Sequence, residues 1–410
     1  MFKSELPNRH CMHPADRLRS SGSDDLFTGK HILLCVTGSI AAVETVRLAR
    51  EFTRRGADVT VAMSESATKI IHPDALWFAS GKPAITDLDG SVQHVTLADS
   101  GEGGADAFVV APCSANTISK LACGICDDAV STILVTALGA GKPVVIAPAM
   151  HKHMWGNPMI GDNMDAIITA GVEVVIPLFS ENKAKMASID NIVHSTARRL
   201  FKSAMSRRKV TVIGGSTTEP IDSVRAITNY STGGTAVALA REAFIRGAEV
   251  ELIMGRSSVP IPEFIQVQRF DTAADLDNIV SNREFDVLLM PAAVSDFTPM
   301  KKLDGKLDSS QDSVSLELKR SKKIIDHAKA KLKIGFKLEA GIDMDELRRR
   351  ASSKLKESGM TAIVANRMED VRDDHSKAVL IDTDRNEIEL EGGRDAIARS
   401  VIKYVVERSR

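Results

Sequence analysis

His31-Ile-Leu-Leu-Cys-Val36, Thr37-Gly38-Ser39-Ile40, an amphipathic run over 41–54, Arg55-Gly56-Ala57 and Asp58-Val-Thr-Val-Ala62 form the passage that decides the fold. An apolar run of this length, too short for a helix, reads as a buried strand. The run over 41–54 reads as a helix, closed by a glycine C-cap before a second strand begins. The same grammar returns with Lys209-Val-Thr-Val-Ile213, Gly214-Gly215-Ser216, a helix expected over 235–246, Arg246-Gly247-Ala248 and Glu249-Val-Glu-Leu-Ile253. Alternating strands and helices pack as parallel sheets covered on both faces, so two such starts predict two doubly wound α/β domains. A length of 410 residues accommodates two sizeable cores.

Further buried strands are expected over 107–111, 143–147 and 173–177 in the first half, and over 286–290, 333–336 and 361–365 in the second. A helix over 190–206 leads into Arg207-Arg208-Lys209. These signals divide the chain into an N-terminal extension (1–28), a first domain (29–189), a linker helix (190–208) and a second domain (209–410). The Lys-, Asp- and Ser-rich stretch over 301–323 reads as a mobile loop or hairpin.

Lys and Arg number 53 against 54 Asp and Glu, a formal net charge of -1, and aromatic residues make up only 4%. Neither a global basic field nor a base-stacking surface is expected, so nucleic acid is not a predicted partner. The longest apolar candidate, 131–150, is interrupted by Gly139, Gly141 and Lys142, and no membrane span is expected. The first residues carry Lys3, Glu5, Arg9, Arg17, Asp24 and Asp25 without an apolar core, so no secretory signal is expected and the chain reads as cytoplasmic. Five cysteines (Cys11, Cys35, Cys113, Cys123, Cys126) form no disulfide framework. Cys123 and Cys126 have redox-motif spacing, but they follow a helix already under way over 114–121, which disfavours a thioredoxin-type site. His10-Cys11-Met12-His13 lacks a second ligand cluster and reads as a solvated tail; no side-chain metal site is expected.

In open α/β sheets ligands bind beyond the carboxyl ends of the strands. Those ends are Thr37-Gly-Ser-Ile40, Met63-Ser64, Ala111-Pro-Cys-Ser-Ala-Asn116 and Pro148-Ala-Met-His151 in the first domain. Gly38 permits close backbone approach, and a following helix N-terminus offers free N–H groups to a phosphate. The GxGxxG spacing of a dinucleotide turn is absent, so the ends suit a phosphorylated cofactor other than NAD. His94 alone reads as structural, Met150 and Met154 as core, and Trp155 as a boundary residue. In the second domain Gly214-Gly-Ser-Thr-Thr-Glu-Pro220 and Asn229-Tyr-Ser-Thr-Gly-Gly234 are polar loops able to cradle phosphates.

Together these residues resemble, from about Gly29 to Arg408, the bifunctional coenzyme A biosynthesis family. Its members join a phosphopantothenoylcysteine decarboxylase to a phosphopantothenate–cysteine ligase, and the layout is most similar to the archaeal ones. The first half is similar to the flavin-containing cysteine decarboxylases, with a flavodoxin-like fold. The resemblance implies that Gly38, Ser39, Ile40, Ser64, Ser114, Ala115 and Asn116 bind FMN. It also implies that His94, with Gln93 in place of a glycine, is the catalytic base. The flavin supplies an electron sink, because the carbanion left by a departing cysteine carboxylate has none of its own. The family's Pro-Ala-Met-Asn motif, whose amide holds the substrate carboxylate, stands here as Pro148-Ala-Met-His151, with an imidazole N–H as the replacement donor. Bacterial relatives carry a proton-donating cysteine in a flap; here Ser180-Glu-Asn-Lys-Ala-Lys-Met186 has none, and Lys183 or Lys185 takes its place.

The second half resembles the ligase, a Rossmann-like domain that usually dimerises. Its signature is met by Glu219-Pro-Ile-Asp222, Val224-Arg225 and Ile227-Thr228-Asn229. The resemblance implies CTP as substrate with Mg2+, an acyl-cytidylate intermediate, Asn229 supporting attack by the cysteine amine, and Lys306 stabilising charge on the phosphates or the developing oxyanion. Nucleotide contacts carry over to Met290, Pro291, Ala292, Asp296, Lys322, Lys323, Ile324, Ile325, Phe336 and Lys354. Two family lysines are missing, one within Ser231-Thr-Gly-Gly-Thr235 and one at Ser358, which leaves CTP against ATP open. The expected partners are the small-molecule substrates and further copies of the chain, with trimeric contacts around the flavin domain and dimeric contacts in the ligase domain building a dodecamer. A non-catalytic regulator on the same fold is countered by His94 and the complete ligase half. A flavin prenyltransferase-like protein would not need the 219–229 signature.

Overall fold

The computed structural model describes residues 13–21, 25–101, 103–201, 205–308, 313–372 and 375–409. The chain forms two compact units, Met1–Phe201 and Lys202–Arg410.

In the first unit the strands are β1 (His31–Val36), β2 (Asp58–Met63), β3 (Ala107–Cys113), β4 (Val144–Pro148), β5 (Met150–His151), β6 (Glu173–Val174), β7 (Leu178–Ser180) and β8 (Lys183–Lys185). Five of them form a parallel sheet in the order β2-β1-β3-β4-β6. The opening passage folds as read, except that its helix starts as a 3-10 turn, Ile40–Glu44, before the α-helix Thr45–Arg54. Leu33, Cys35, Phe108, Val110 and Ile146 pack against Ile118, Leu121, Ile133, Leu134, Met164 and Ile167 of helices Ala115–Cys123, Ala129–Gly139 and Pro158–Thr169. The expected strand over 173–177 pairs only through Glu173 and Val174; it is an edge strand, and the chain leaves it toward the β7–β8 hairpin. Met154 is exposed rather than core.

Two segments assigned outside the first domain belong to its body. Helix Ile189–Phe201 buries Ile192, Val193 and Ala197. Residues 13–28 carry the helix Pro14–Ser21 and the fully buried Ala15 and Phe27. The Phe27 ring meets Phe52 edge-on at 5.5 Å, and His13 Nδ1 accepts the Ala15 N–H at 3.1 Å, so His13 is not a solvated tail. His10, Cys11 and Met12 lie outside the described residues.

The second unit contains β9 (Lys209–Gly214), β10 (Thr218–Pro220), β11 (Ala226–Thr228), β12 (Glu249–Met254), β13 (Gln266–Arg269), β14 (Glu284–Met290), β15 (Phe297–Pro299), β16 (Leu318–Arg320), β17 (Lys329–Glu339), β18 (Ala362–Arg367), β19 (Ser376–Asp382) and β20 (Glu387–Gly392). Its main sheet has the order β13-β12-β9-β14-β17-β18-β19-β20. The first six strands are parallel, and β19 and β20 add antiparallel. Helices Gly234–Ile245 and Arg394–Arg408 share one apolar cluster with the sheet. Helices Ala273–Ser281 and Met344–Glu357 anchor the clusters that contain the sheet's remaining inward residues. The stretch over 301–323 is closed by an antiparallel ribbon, Phe297↔Arg320 to Pro299↔Leu318, which matches the hairpin alternative; 309–312 lie outside the described residues.

Candidate functional sites at two sheet switch points

Both parallel sheets reverse their winding direction beside the first strand of the unit, between β1 and β3 in one and between β9 and β14 in the other. A crevice opens at such a point because the flanking connections leave on opposite faces.

In the first unit Thr37, 1% exposed, ties the two strand ends together. Its hydroxyl donates to the Pro112 carbonyl at 2.8 Å and accepts the Ser114 N–H at 2.9 Å. A Cβ on Gly38 would stand 2.7 Å from Ser66 Cβ, so only glycine lets this turn lie against the loop after β2. Ser64 and Ser114 are helix N-caps, Ser64 accepting from Ala67 N–H and Ser114 from Thr117 N–H, each at 3.3 Å. Ala115 is buried and Asn116 exposed at the start of the helix that Ser114 caps. Three of the four strand ends singled out thus carry a capped turn or a glycine close approach, a cradle suited to the phosphate end of a flavin.

A cavity of about 770 Å3 opens beside the turn. Ser39, Ile40 and Val43 contribute from the turn, Met150 and His151 from β5, and Lys183 and Lys185 from β8. These last two segments meet because β5 and β7 flank β8 in a three-stranded sheet, with Met150↔Ala184 and His151↔Lys183 in register. The flap thereby lies beside the Pro-Ala-Met-His segment. The His151 ring stacks on His153 with centroids 5.4 Å apart. Lys185 pairs with Glu181 at 2.9 Å, and its ammonium holds the Glu181 carboxyl below the usual range. Glu44 and Arg47 also line the cavity, and sequence reading passed over both. Their signal was the polar face of the helix following the glycine turn.

His94 lies on helix Gln93–Ala98 and is not among the residues lining the cavity. Its Nδ1 is buried and without a hydrogen-bond partner among the described residues. Burial pushes the Cys35 and Cys113 thiols up, away from thiolate chemistry. Cys123 ends its helix at the carboxyl terminus, where the backbone dipole disfavours an anion.

In the second unit the polar loop after β9 meets the end of β14. Ser216 bridges Ala293, the Ala293 N–H donates to Gly215 O at 2.8 Å, and the Ser295 N–H donates to Thr217 Oγ1 at 3.0 Å. Ser295 Oγ is buried without a partner among the described residues, a polar group for a ligand to satisfy. Asn229 Nδ2 donates to the Ala293 carbonyl at 3.2 Å, which brings Asn229 to the segment Met290, Pro291 and Ala292. Met290 is paired in register with Gly335, next to Phe336. Lys323 pairs with Asp296, and Lys322 lies 3.9 Å from Asp277. Ile324 and Ile325 pack in the cluster containing Met290 and Ala292. Asp326 accepts from Lys354 at 2.9 Å and from the Ser358 hydroxyl at 2.6 Å, so Ser358 fills its position as a buried partner of that carboxylate. Lys333, buried beneath, donates to Ile325 O at 2.9 Å and Ala328 O at 3.1 Å, a support the sequence did not signal. Lys306 is exposed on the segment that follows β15. Among the described residues no group of three or more His, Cys, Asp or Glu side chains gathers as a metal site, and no helix is long and apolar enough to cross a membrane.

A flavoprotein family model matches residues 20–201, and a model for the DNA/pantothenate metabolism flavoprotein C-terminal domain matches 205–408. The coenzyme A biosynthesis bifunctional protein CoaBC of Thermococcus kodakarensis is 43% identical over 365 residues, covering 87% of this chain and 90% of its own. The protein of that name from Methanocaldococcus jannaschii is 34% identical over 406 residues, covering 96% and 97%. Its Bacillus subtilis counterpart is 33% identical over 367 residues, covering 83% and 86%. With both switch points on one chain and matches that run through both units, this chain belongs to the coenzyme A biosynthesis bifunctional protein family.

Proposed function

We propose that this enzyme makes 4'-phosphopantetheine from 4'-phosphopantothenate and cysteine in two steps, ligation in the second unit and FMN-dependent decarboxylation in the first. The observation that carries the reading is the presence of two ligand crevices, each with the donors its step requires, on a chain matched through both units by relatives named as bifunctional.

For ligation, CTP with Mg2+ activates the phosphopantothenate carboxylate as an acyl-cytidylate, and the cysteine amine then displaces the nucleotide. Asn229, held at Ala293 O, is proposed to hydrogen-bond the acyl-nucleotide. Lys306 places an ammonium against charge developing on the phosphates. Met290, Pro291, Ala292, Ile324, Ile325 and Phe336 would pack the base and ribose, with Asp296, Lys322, Lys323 and Lys354 at the polar positions.

For decarboxylation, bound FMN supplies the electron sink that lets the carboxylate leave, with no net redox change. The Gly38-Ser39-Ile40 turn and the ends at Ser64, Ser114, Ala115 and Asn116 are proposed to hold it. His151 would donate to the substrate carboxylate, and Lys185 would return a proton. His94 would take the thiol proton. Because His94 is absent from the cavity lining within one chain, while Ile40, Val43, Val92 and Val95 are exposed apolar residues, we place a second copy against the cavity. A homo-oligomer, up to the expected dodecamer, working in the cytoplasm follows from this reading.

The test is mass spectrometry of products from purified protein given 4'-phosphopantothenate, cysteine, Mg2+ and CTP, with ATP in parallel. Phosphopantetheine is the expected product. Phosphopantothenoylcysteine alone would leave a ligase with a disabled decarboxylase, and no product with either nucleotide would overturn the assignment.

A further inference from the structure

The Glu219-Pro-Ile-Asp222 segment belongs to the signature that the second half shares with the ligases, and its two carboxylates face protein. Glu219, 3% exposed, accepts the Ala273 N–H at 2.9 Å and the Thr298 hydroxyl at 3.0 Å. Asp222, equally buried, spends its two oxygens differently. Oδ1 accepts the Val224 and Arg225 backbone N–H groups at 2.7 and 2.6 Å, closing the turn between β10 and β11. Oδ2 accepts the Leu307 N–H at 2.9 Å and the Arg225 guanidinium at 2.7 Å.

Leu307 immediately follows Lys306. The same turn grips the Lys306 segment three more times. Leu303 N–H donates to Ile221 O at 2.9 Å, Ser223 N–H to Gly305 O at 2.9 Å, and Arg225 Nη1 to Leu307 O at 3.3 Å. Gly305, at φ +80°, supplies the left-handed bend that lets the segment fold back onto the turn. Lys306 itself is exposed among Lys, Asp and Gly residues, and these bonds tie down the backbone on either side of it.

We propose that Asp222 is a positioning residue for Lys306, and that its Oδ2 fixes the backbone from which the Lys306 ammonium reaches the nucleotide phosphates. This rests on the ligase reading of the second unit. The Leu307 N–H is also the largest cause holding the Asp222 carboxyl well below the usual carboxylate range, so the carboxylate is charged whenever the enzyme works. A charged acceptor forms the stronger hydrogen bond, which suits a clasp.

Asp222→Asn separates the two halves of this arrangement. The amide oxygen can keep the Oδ1 bonds of the turn, while the amide NH2 meets the Leu307 N–H and the guanidinium as donor against donor. The experiment measures steady-state pyrophosphate release from CTP, 4'-phosphopantothenate and cysteine by the wild type, Asp222→Asn, Lys306→Ala and the double variant. It also measures trypsin cleavage after Lys306 by mass spectrometry. The expected result is a fall in kcat of roughly ten- to a hundredfold in Asp222→Asn, with the KM for CTP little changed and cleavage after Lys306 accelerated. In the Lys306→Ala background the Asp222 change should cost nothing further. An unchanged Asp222→Asn rate, or losses that multiply in the double variant, would overturn the positioning role alone. Absence of pyrophosphate release by the wild type with CTP or ATP would overturn the ligase reading, and this proposal with it.

Discussion

Thr37 and Ser114 are joined across the β1–β3 switch point by a hydrogen bond from the Ser114 N–H to Thr37 Oγ1 at 2.9 Å, and the same hydroxyl reaches the Pro112 carbonyl. The bond sets the separation of the two strand ends that are proposed to hold the flavin phosphate. Thr37→Val keeps the shape and leaves both backbone groups unpaired in a buried place, at a cost of about 1–3 kcal/mol for each group left unsatisfied. The expected outcome is a lower thermal midpoint for the first unit and a smaller ratio of flavin to protein absorbance after purification. Full flavin retention by the variant would show that the strand ends hold their spacing without this bond.

Gly38→Ala tests the neighbouring contact. The new Cβ would meet Ser66 Oγ at 2.6 Å and Ser66 Cβ at 2.7 Å, so either the turn or the loop after β2 must move. Flavin retention should fall, and Ser66→Gly in the same chain should restore part of it by removing both clashing atoms. A Gly38→Ala protein that keeps its flavin, or a double variant no better than the single one, would place the role of Gly38 elsewhere.

The sequence carried the frame of both units because buried strands, glycine turns and helix C-caps are local signals. It did not carry the antiparallel addition of β19 and β20: Ala378-Val-Leu-Ile381 is a continuous apolar run and Glu387-Ile-Glu-Leu-Glu391 alternates strictly, but neither pattern says which neighbour a strand pairs with or in which direction. Nor did it carry the sheet formed by β5, β8 and β7, since two- and three-residue strands have no period to read. Asn229 was legible as a loop residue and Met290 as a strand end, but the bond from Asn229 to Ala293, three residues beyond Met290, is a tertiary fact. Asp222 was legible only as a member of a signature. Its two faces, one for its own turn and one for Leu307, depend on a contact 85 residues away in sequence.

The depressed pKa of Asp222 has a consequence for acid stability. The Leu307 N–H, with the Val224 and Arg225 N–H groups and the guanidinium, favours the ionised carboxyl in the folded state against the opposing effect of burial. Its contribution is therefore complete above the unfolded carboxyl pKa of about 3.9, and is lost as pH falls from there through the lower folded value. The urea midpoint of the second unit should differ most between wild type and Asp222→Asn at neutral pH, and the gap should narrow below about pH 4. Both tyrosines, Tyr230 and the buried Tyr404, lie in the second unit and both tryptophans, Trp77 and Trp155, in the first, so tyrosine signals follow the relevant transition. A gap independent of pH would mean that the charge of Asp222 does not contribute.

His151 tests how an imidazole replaces an amide at the proposed carboxylate position. His151→Asn should retain decarboxylation, because the amide also presents an N–H donor. His151→Leu should raise the KM for phosphopantothenoylcysteine by about tenfold, as expected for loss of a hydrogen bond to a charged group. Ligation, measured as pyrophosphate release, should be the same in both variants. Equal KM values for the Leu variant and the wild type would remove His151 from substrate binding.

Lys185 offers the sharpest separation of steps. Glu181 and Asn182 have φ of +50° and +56°, the left-handed pair of a two-residue hairpin turn, and this fixes the register Ser180↔Lys183 and Leu178↔Lys185. Lys183 and Lys185 therefore point to one face of β8, with the buried Ala184 on the other. Removal of the thiol proton and departure of CO2 precede the proton return assigned to Lys185, so Lys185→Ala should still complete them. Under anaerobic conditions the variant should accumulate an oxidised enethiol, two hydrogens short of phosphopantetheine, in an amount stoichiometric with its flavin. Lys183→Ala, changed on the same face of the same strand, should turn over to phosphopantetheine and control for damage to the flap. The reverse pattern would assign the proton to Lys183, and wild-type turnover by both variants would take the flap lysines out of the proton path.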